Sequence, residues 1–382
     1  MRILHIIRTL NPEAGGLTES VRVLLVYAPP NCMSEVVTLD DPASPYLADL
    51  AFPIHALGPT GTTFGLNAKL LPWLRANRDR FDGVIVHGLW QYCGYSALRA
   101  LAGNTPYMVF SHGMLDPYFK RMFPLKHAKK WLYWLAVEYW VLRRADRVLF
   151  TTKAEQRLAP QSFFIHRWKG HVVPFGACGP SGDSEIQVQA FFEKCPAVRG
   201  KRFLIYLGRI HPKKGCDMLI DAFAEAAALD SDINLVMAGP DQFLWSHELK
   251  NSATSAGIAD RIHWPGMLKG DAKWGAFFAS EAFILPSHQE NFGIAVAESL
   301  ACGRPVLLTD KVNIADDIAK DGAGLMEPDT AEGTLQLLNR WIKMTSAERI
   351  LMGQRALDCY NGRYDMRRSA KAITGLFETK SE

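Results

Sequence analysis

A chain of 382 residues is too long for one ordinary hydrophobic core and suits two domains of about 150 to 200 residues each. Its 48% hydrophobic and 21% charged residues describe a folded globular protein, and a net charge of +4 is too small to imply nucleic acid, so no such partner is expected and any basic surface must come from local clusters. Seven cysteines, odd in number and nowhere spaced C-x-x-C, read as reduced thiols and speak against disulfide or zinc scaffolds.

The opening "MRILHIIRTLNPEAGG" has only a short apolar run and no cleavage-site pattern. No later segment reaches the roughly 18 apolar residues of a spanning helix, so a cytoplasmic protein is expected. Short apolar runs then alternate with amphipathic ones, the pattern of strands and helices in a parallel sheet. The strand candidates of the first half are 2–8, 35–39, 52–57, 83–88, 107–113 and 147–152. Helical spacing fills "LTESVRVLLVYA" and "AKLLPWLRANRDRF" between them. The pattern lapses between Pro174 and Lys201 and restarts with strands at 202–210, 233–240, 261–268, 282–287 and 304–310. Two doubly wound sheets are predicted, and such sheets bind ligands at the carboxyl ends of their strands.

Residues of chemical interest follow those strands. Gly15 and Gly16 open a helix after the first strand, either as a plain turn or as a close backbone approach to an anion. The spacing G-x-G-x-x-G is absent there, which argues against a nicotinamide enzyme. His87 ends a strand ahead of Trp90, Gln91 and Tyr92; this aromatic ledge reads equally as a stacking surface for an acceptor sugar or as packing. His112 ends the next strand and is expected at the ligand cleft. Lys120 to Arg147, "KRMFPLKHAKKWLYWLAVEYWVLRRADR", holds eight Lys or Arg among five Trp or Tyr. It reads as an interfacial helix on an anionic inner leaflet or as a buried helix with its Trp face on the sheet.

In the second half, "GRIHPKKG" puts Arg209 and Lys214 at a strand end, where two cations suit phosphate oxygens. After the strand "AFILPS" come Glu290 in a loop, a helix start at Phe292 to Ile294 with free N–H groups for a phosphate, and Glu298 on the face of the first turn. A carboxylate pair beside an anion site reads a nucleotide sugar. The acidic "DSD" at 230–232 lies at the wrong end of its strand and reads as a turn, so no metal is expected.

"GRIHPKKG" with "SHQENFGIAVAESLACGRPV" resembles the signature of the retaining glycosyltransferases of the GT-B fold, specifically the large family 4 with its E-x7-E hallmark. "HGLW" and "SHGMLDP" look similar to members that build bacterial exopolysaccharide or lipopolysaccharide. The resemblance implies an α/β GT-B architecture, two Rossmann-like domains facing across a cleft. Residues 1–175 would form the acceptor-side domain, 176–200 a linker, 201–360 the nucleotide-sugar-binding domain, and 361–382 a helix crossing back, with Tyr364 and Phe377 pinning the halves.

It further implies transfer of a hexose from a nucleotide-diphosphate sugar to a saccharide acceptor, lipid-linked if the basic segment meets a membrane, with no cofactor and no metal. Gly15 and Gly16 would lie against the diphosphate. Arg209 and Lys214 would stabilise the departing nucleotide diphosphate, and Glu290 would hold donor-sugar hydroxyls. Glu298 would take the ribose, and Phe292, Gly293 and Ile294 the phosphates. Met267 would face the base, and His112 would position the donor. The alternatives are a GT-B sugar-nucleotide epimerase and a non-catalytic saccharide-binding subunit.

Overall fold

The computed structural model of the chain describes residues 1–241 and 244–378. These divide into two compact units: unit 1 is formed by Met1–Gly176 with the segment from Met366, and unit 2 by Ala177–Asp365. The last four positions of the expected 361–382 helix, 379–382, lie outside the described residues.

Unit 1 holds a seven-stranded parallel sheet: β1 Arg2–Ile7, β2 Met33–Thr38, β3 Ile54–Ala56, β4 Gly83–His87, β5 Tyr107–Phe110, β6 Arg147–Phe150 and β7 Gly170–Val172, in the order β3-β2-β1-β4-β5-β6-β7. The inner strands read as largely apolar runs because helices cover both faces of the sheet; Ile3, Val84, Val86 and Val109 are fully buried. The helix Met366–Glu378 packs on the helix Gly16–Val26, and the Phe377 ring lies where any Cβ at Gly83 would clash, 2.2 Å away.

Unit 2 repeats the plan with six parallel strands: β8 Arg202–Leu207, β9 Ile233–Ala238, β10 Ile262–Gly266, β11 Ala282–Leu285, β12 Val306–Thr309 and β13 Gly324–Glu327, in the order β10-β9-β8-β11-β12-β13. The stretch expected as a plain linker contains the helix Ser184–Lys194, which packs on the helix Gly270–Ala279 so closely that a Cβ at Gly275 would stand 1.8 Å from the Gln187 carbonyl oxygen. It belongs to unit 2. Its sparse apolar face and charged ends hide its periodicity, which is why composition reads it as a connection.

Each sheet reverses its strand order once, between β1 and β4 and between β8 and β11. A crevice opens at such a switch point because the loops on either side of it leave in opposite directions. The loops that flank the two reversals are 8–15 and 88–91 in unit 1, and 208–215 and 286–293 in unit 2.

The basic aromatic stretch is not one helix. It forms Tyr118–Met122 and Pro124–Tyr133, a π turn over Trp134–Glu138, and Tyr139–Arg144. Its aromatic residues face mainly inward: Trp134 is fully buried and stacks on Phe163 at 4.1 Å, and Trp131 packs on Phe163 and Phe164. Leu125 and Leu132 point outward, 81% and 77% exposed, together with Met122 and Phe123. No helix among the described residues is long and apolar enough to cross a membrane.

Candidate active site

In unit 1 the chain leaves β1 into a loop fixed by one buried carboxylate. Asp40, just beyond β2, accepts from the Leu10 N–H (2.7 Å) and from the hydroxyls of Thr9 (2.5 Å), Thr38 (2.7 Å) and Tyr46 (3.0 Å). The loop then reaches Gly15, whose φ of 101° places it in a region that favours glycine. Gly15 caps the helix Gly16–Val26, and both glycines are exposed.

His112, after β5, is held in the same manner. Its φ of 47° is uncommon for a side-chain-bearing residue. Buried Glu155 stabilises the turn by accepting from the Ser111 hydroxyl (2.6 Å), the Gly113 N–H (2.7 Å), and the N–H and hydroxyl of Thr151 (2.8 and 2.7 Å). The His112 ring stacks on Phe110 with centroids 4.1 Å apart and keeps some solvent contact.

The acceptor ledge expected at His87 is corrected by burial. His87 is 1% exposed, with its ring wedged between His5 and His112, so no sugar can stack on it. Trp90 is half-buried against Tyr133, Trp134 and Phe163, and Gln91 caps the following helix. The Trp90 N–H donates to Glu138 (3.2 Å), and Lys130 Nζ lies 4.4 Å from the Trp90 ring centre. Burial pushes the Glu138 carboxyl up to about 8, against the opposing pull of the Trp90 N–H and the Lys130 charge.

In unit 2 the two carboxylates each pair with a lysine, Glu290 with Lys214 and Glu298 with Lys273. Arg209 leaves β8, its carbonyl accepting from the Tyr206 hydroxyl at 2.6 Å. Lys214 follows on the turn Pro212–Lys214, and Gly215 must be glycine: φ is 65° and a Cβ would sit 2.1 Å from the Pro286 carbonyl oxygen. The Lys213 carbonyl accepts from the His288 N–H (2.9 Å) and the Ser287 hydroxyl (3.1 Å), tying the β8 loop to the β11 loop. Lys214 pairs with Glu290. Burial alone would raise the Glu290 carboxyl, but Lys214, with Lys213 and Arg209 behind it, outweighs burial and holds it below the usual carboxylate range.

Gly293, at φ 76°, caps the helix Ile294–Ala301, and the N–H groups of Ile294 and Ala295 meet no acceptor among the described residues. Such a helix start attracts anions. Phe292 is buried beside the Tyr364 ring, and Met267 is 58% exposed after β10. Glu298, one turn into the helix, pairs with Lys273 Nζ at 2.6 Å, which also lies over the Trp274 ring. Arg209, Lys214, Glu290, the Gly293–Ile294 helix start and Glu298 thus lie on the β8 and β11 loops and the helix that follows. "DSD" is a turn: the Asp232 N–H donates to Asp230, whose carboxylate pairs with Arg202. Among the described residues no three His, Cys, Asp or Glu are grouped to hold a metal ion.

Sequence reasoning missed four members of this framework. Asp40 follows β2 directly, a strand-end position open to the same argument as Arg209. Glu155 stands third after Thr152 in a helix-capping pattern, and the Thr152 hydroxyl does accept from the Glu155 N–H at 2.9 Å. His5 breaks an otherwise apolar strand. Lys273 carries no signal, because only the fold brings its helix beside Glu298.

Comparison with known proteins identifies the family and the fold. A family model described as "Glycosyl transferases group 1" matches residues 187–356, and one described as "Glycosyl transferase 4-like domain" matches residues 15–176. The chain is 24% identical over 342 residues to the GDP-mannose:cellobiosyl-diphosphopolyprenol alpha-mannosyltransferase of Xanthomonas oryzae pv. oryzae, covering 85% of this chain and 83% of that one. It is 27% identical over 190 residues to the lipopolysaccharide core biosynthesis mannosyltransferase LpsB of Rhizobium meliloti, a match spanning 44% of this chain and about half, 54%, of that relative. The crystal structure of Anabaena Alr3699/HepE in complex with UDP superposes with a TM-score of 0.78 at 18% identity, covering 99% of this chain and 100% of that one; this likeness establishes the fold. The chain belongs to the GT-B glycosyltransferases, with a 4-like domain in unit 1 and a group 1 domain in unit 2.

Proposed function

We propose that the chain transfers a hexose, with retention of configuration, from a nucleoside-diphosphate sugar to a saccharide acceptor in bacterial surface polysaccharide synthesis. The observation that carries this reading is the unit 2 set at one strand-order reversal: two cations, a carboxylate held ionised beside them, a helix start with free N–H groups, and a second carboxylate one turn on. In this reading Arg209, Lys214 and the N–H groups of Ile294 and Ala295 bind the diphosphate and stabilise the charge that grows on it as the glycosidic bond breaks. Glu290 holds sugar hydroxyls, Glu298 the ribose, and Met267 faces the base.

The leaving phosphate takes the acceptor proton, so neither a metal nor a dedicated base is assigned. Gly15, Gly16 and His112 contribute from unit 1, His112 as a donor-positioning group, while Trp90 and Gln91 serve the acceptor. The mannosyltransferase relatives support a hexose and a saccharide or lipid-linked acceptor, and nothing in the comparisons favours an epimerase or a non-catalytic subunit.

A membrane surface is proposed as a further contact. Exposed Leu125, Leu132, Met122 and Phe123 lie among Lys120, Arg121, Lys126 and Lys129, an apolar and basic combination suited to an anionic inner leaflet. In this reading the enzyme works on the cytoplasmic face.

Thermal shift with GDP, UDP, ADP and their sugars, EDTA present throughout, tests the core of the reading. A ligand that binds only the folded state raises Tm. One nucleoside diphosphate should give a clear shift that Glu298→Gln diminishes. No shift with any of them would remove the donor assignment.

A further inference from the structure

Three histidines in unit 1 form a continuous chain of which the transfer reaction as described uses only His112. His5 Nδ1 lies 2.9 Å from His87 Nε2, and His87 Nδ1 lies 3.0 Å from His112 Nε2. The rings of His5 and His87 stack at 5.2 Å, inclined by 10°, and those of His87 and His112 follow at 5.3 Å. His5 stands within β1, His87 ends β4, and His112 follows β5, so adjacent parallel strands set the spacing. His5 and His87 are 3% and 1% exposed, and His112 keeps more contact with solvent than either.

Burial disfavours the charged form of all three imidazoles. It lowers His5 and His112 to about 3, and lowers His87 with help from its two neighbours. At neutral pH each ring therefore carries one N–H. Two N···N contacts among three neutral rings need one donor each, so His87 must donate from one nitrogen and accept on the other. Only two arrangements satisfy this. Either every ring is protonated on Nδ1 and the chain runs from His5 to His112, or every ring is protonated on Nε2 and it runs in reverse.

The deep end decides between them. His5 Nε2 meets no hydrogen-bond partner among the described residues. The reverse arrangement would place an N–H there, where only the residual solvent at a 3% exposed ring could accept from it. The forward arrangement leaves only a lone pair, the less costly orphan. It also leaves His112 with Nδ1–H as the one ring atom outside the chain.

We propose that His5 and His87 are positioning residues that lock His112 in its Nδ1–H tautomer, giving it a fixed N–H donor for an oxygen of the donor substrate. The inference rests on the reading of His112 given under the proposed function. A solitary imidazole offers a donor or an acceptor according to whichever tautomer it samples; the chain removes that freedom.

Two-bond 1H–15N spectra of the full chain labelled at histidine report the tautomer directly. The wild type should show Nδ1–H at His5, His87 and His112. His87→Phe should release His112 from that state and lower kcat/KM about tenfold, by analogy with the loss seen when the hydrogen-bond partner behind a metal-ligating histidine is removed. His5→Phe should also shift the His112 tautomer although it lies two rings away, which a packing role for His5 would not do. His87→Gln, which keeps a donor and an acceptor, should restore Nδ1–H at His112, and it carries the test with His5→Phe if His87→Phe does not fold. Nε2–H at His112 in the wild type, an unmoved His112 tautomer in folded His5→Phe and His87→Phe, or full turnover by His87→Phe would overturn the proposal. Failure of the parent reading is distinguishable: His112→Ala would then turn over normally while the wild-type spectra still reported the chain.

Discussion

Replacing Lys214 with Ala separates stability from catalysis in the unit 2 set. Glu290 lies against Lys214 with both side chains mostly buried, 18% and 15% exposed, so the variant leaves a carboxylate with little water and no close partner. Hydrogen bonds to charged groups are worth about 1.5 to 3 kcal/mol, and unmatching a wholly buried pair costs about 3 to 5. The residual exposure sets the expected loss near 2 kcal/mol. For a unit of this size that is a fall in Tm of about 4 to 8 °C. Because the folded carboxyl lies below its ordinary value, its contribution is present above the unfolded pKa and is lost as pH falls through the folded one. The gap between wild type and variant should therefore be widest at neutral pH and close in acid.

Turnover should fall further, by about 10² to 10³ in kcat, since a preorganised charge on the leaving diphosphate is removed. The double variant Lys214→Ala with Glu290→Gln carries no stranded charge and should regain most of the Tm but none of the turnover. Differential scanning calorimetry across pH and an assay for nucleoside diphosphate release supply both readouts. Wild-type turnover by Lys214→Ala would refute the assignment, and a double variant that recovered activity along with stability would show that Lys214 matters only for folding.

Glu138, raised to about 8, holds a proton in the folded state that it would release when unfolded, so its contribution to stability declines as pH rises from about 4.3 to about 8. Glu138→Gln should flatten the Tm profile over that window, and an unchanged profile would mean that the carboxyl is already ionised. At the basic apolar patch, Lys120→Glu, Lys126→Glu and Lys129→Glu together should abolish sedimentation with anionic vesicles, each basic residue near such a surface being worth about 1 kcal/mol. Equal sedimentation would remove the membrane contact. Lys130 is left in place because it packs on Trp90 near Glu138, and a carboxylate there would perturb the core instead.

The fold was legible where the chain is most regular. Runs such as "GVIVHG" and "INLVMAGP" are apolar but for His87 and Asn234 because their strands are covered on both faces, and that near-continuity marks them plainly. The outer strands β7 and β13 escaped: Gly170–Val172 is only three residues and half-exposed, and Gly324–Glu327 is only four, half-exposed at its end. Of the site, residues announced by strand ends could be read, as with Arg209 and Glu290. Partners that meet through tertiary structure could not. Lys273 is one charge on an unremarkable helix, and His87 reads as a surface ledge until β1 and β5 are placed on either side of it.

Asp40 and Glu155 each gather four donors from segments separated in sequence, and between them they freeze the two loops that carry Gly15 and His112. The entropy of ordering those loops is thereby lost once, when unit 1 folds, and need not be lost again on each turnover. A ligand that meets them can devote its contact energy to recognition. Loosening either carboxylate would then be felt as a weaker, more entropically opposed association long before it registered as unfolding.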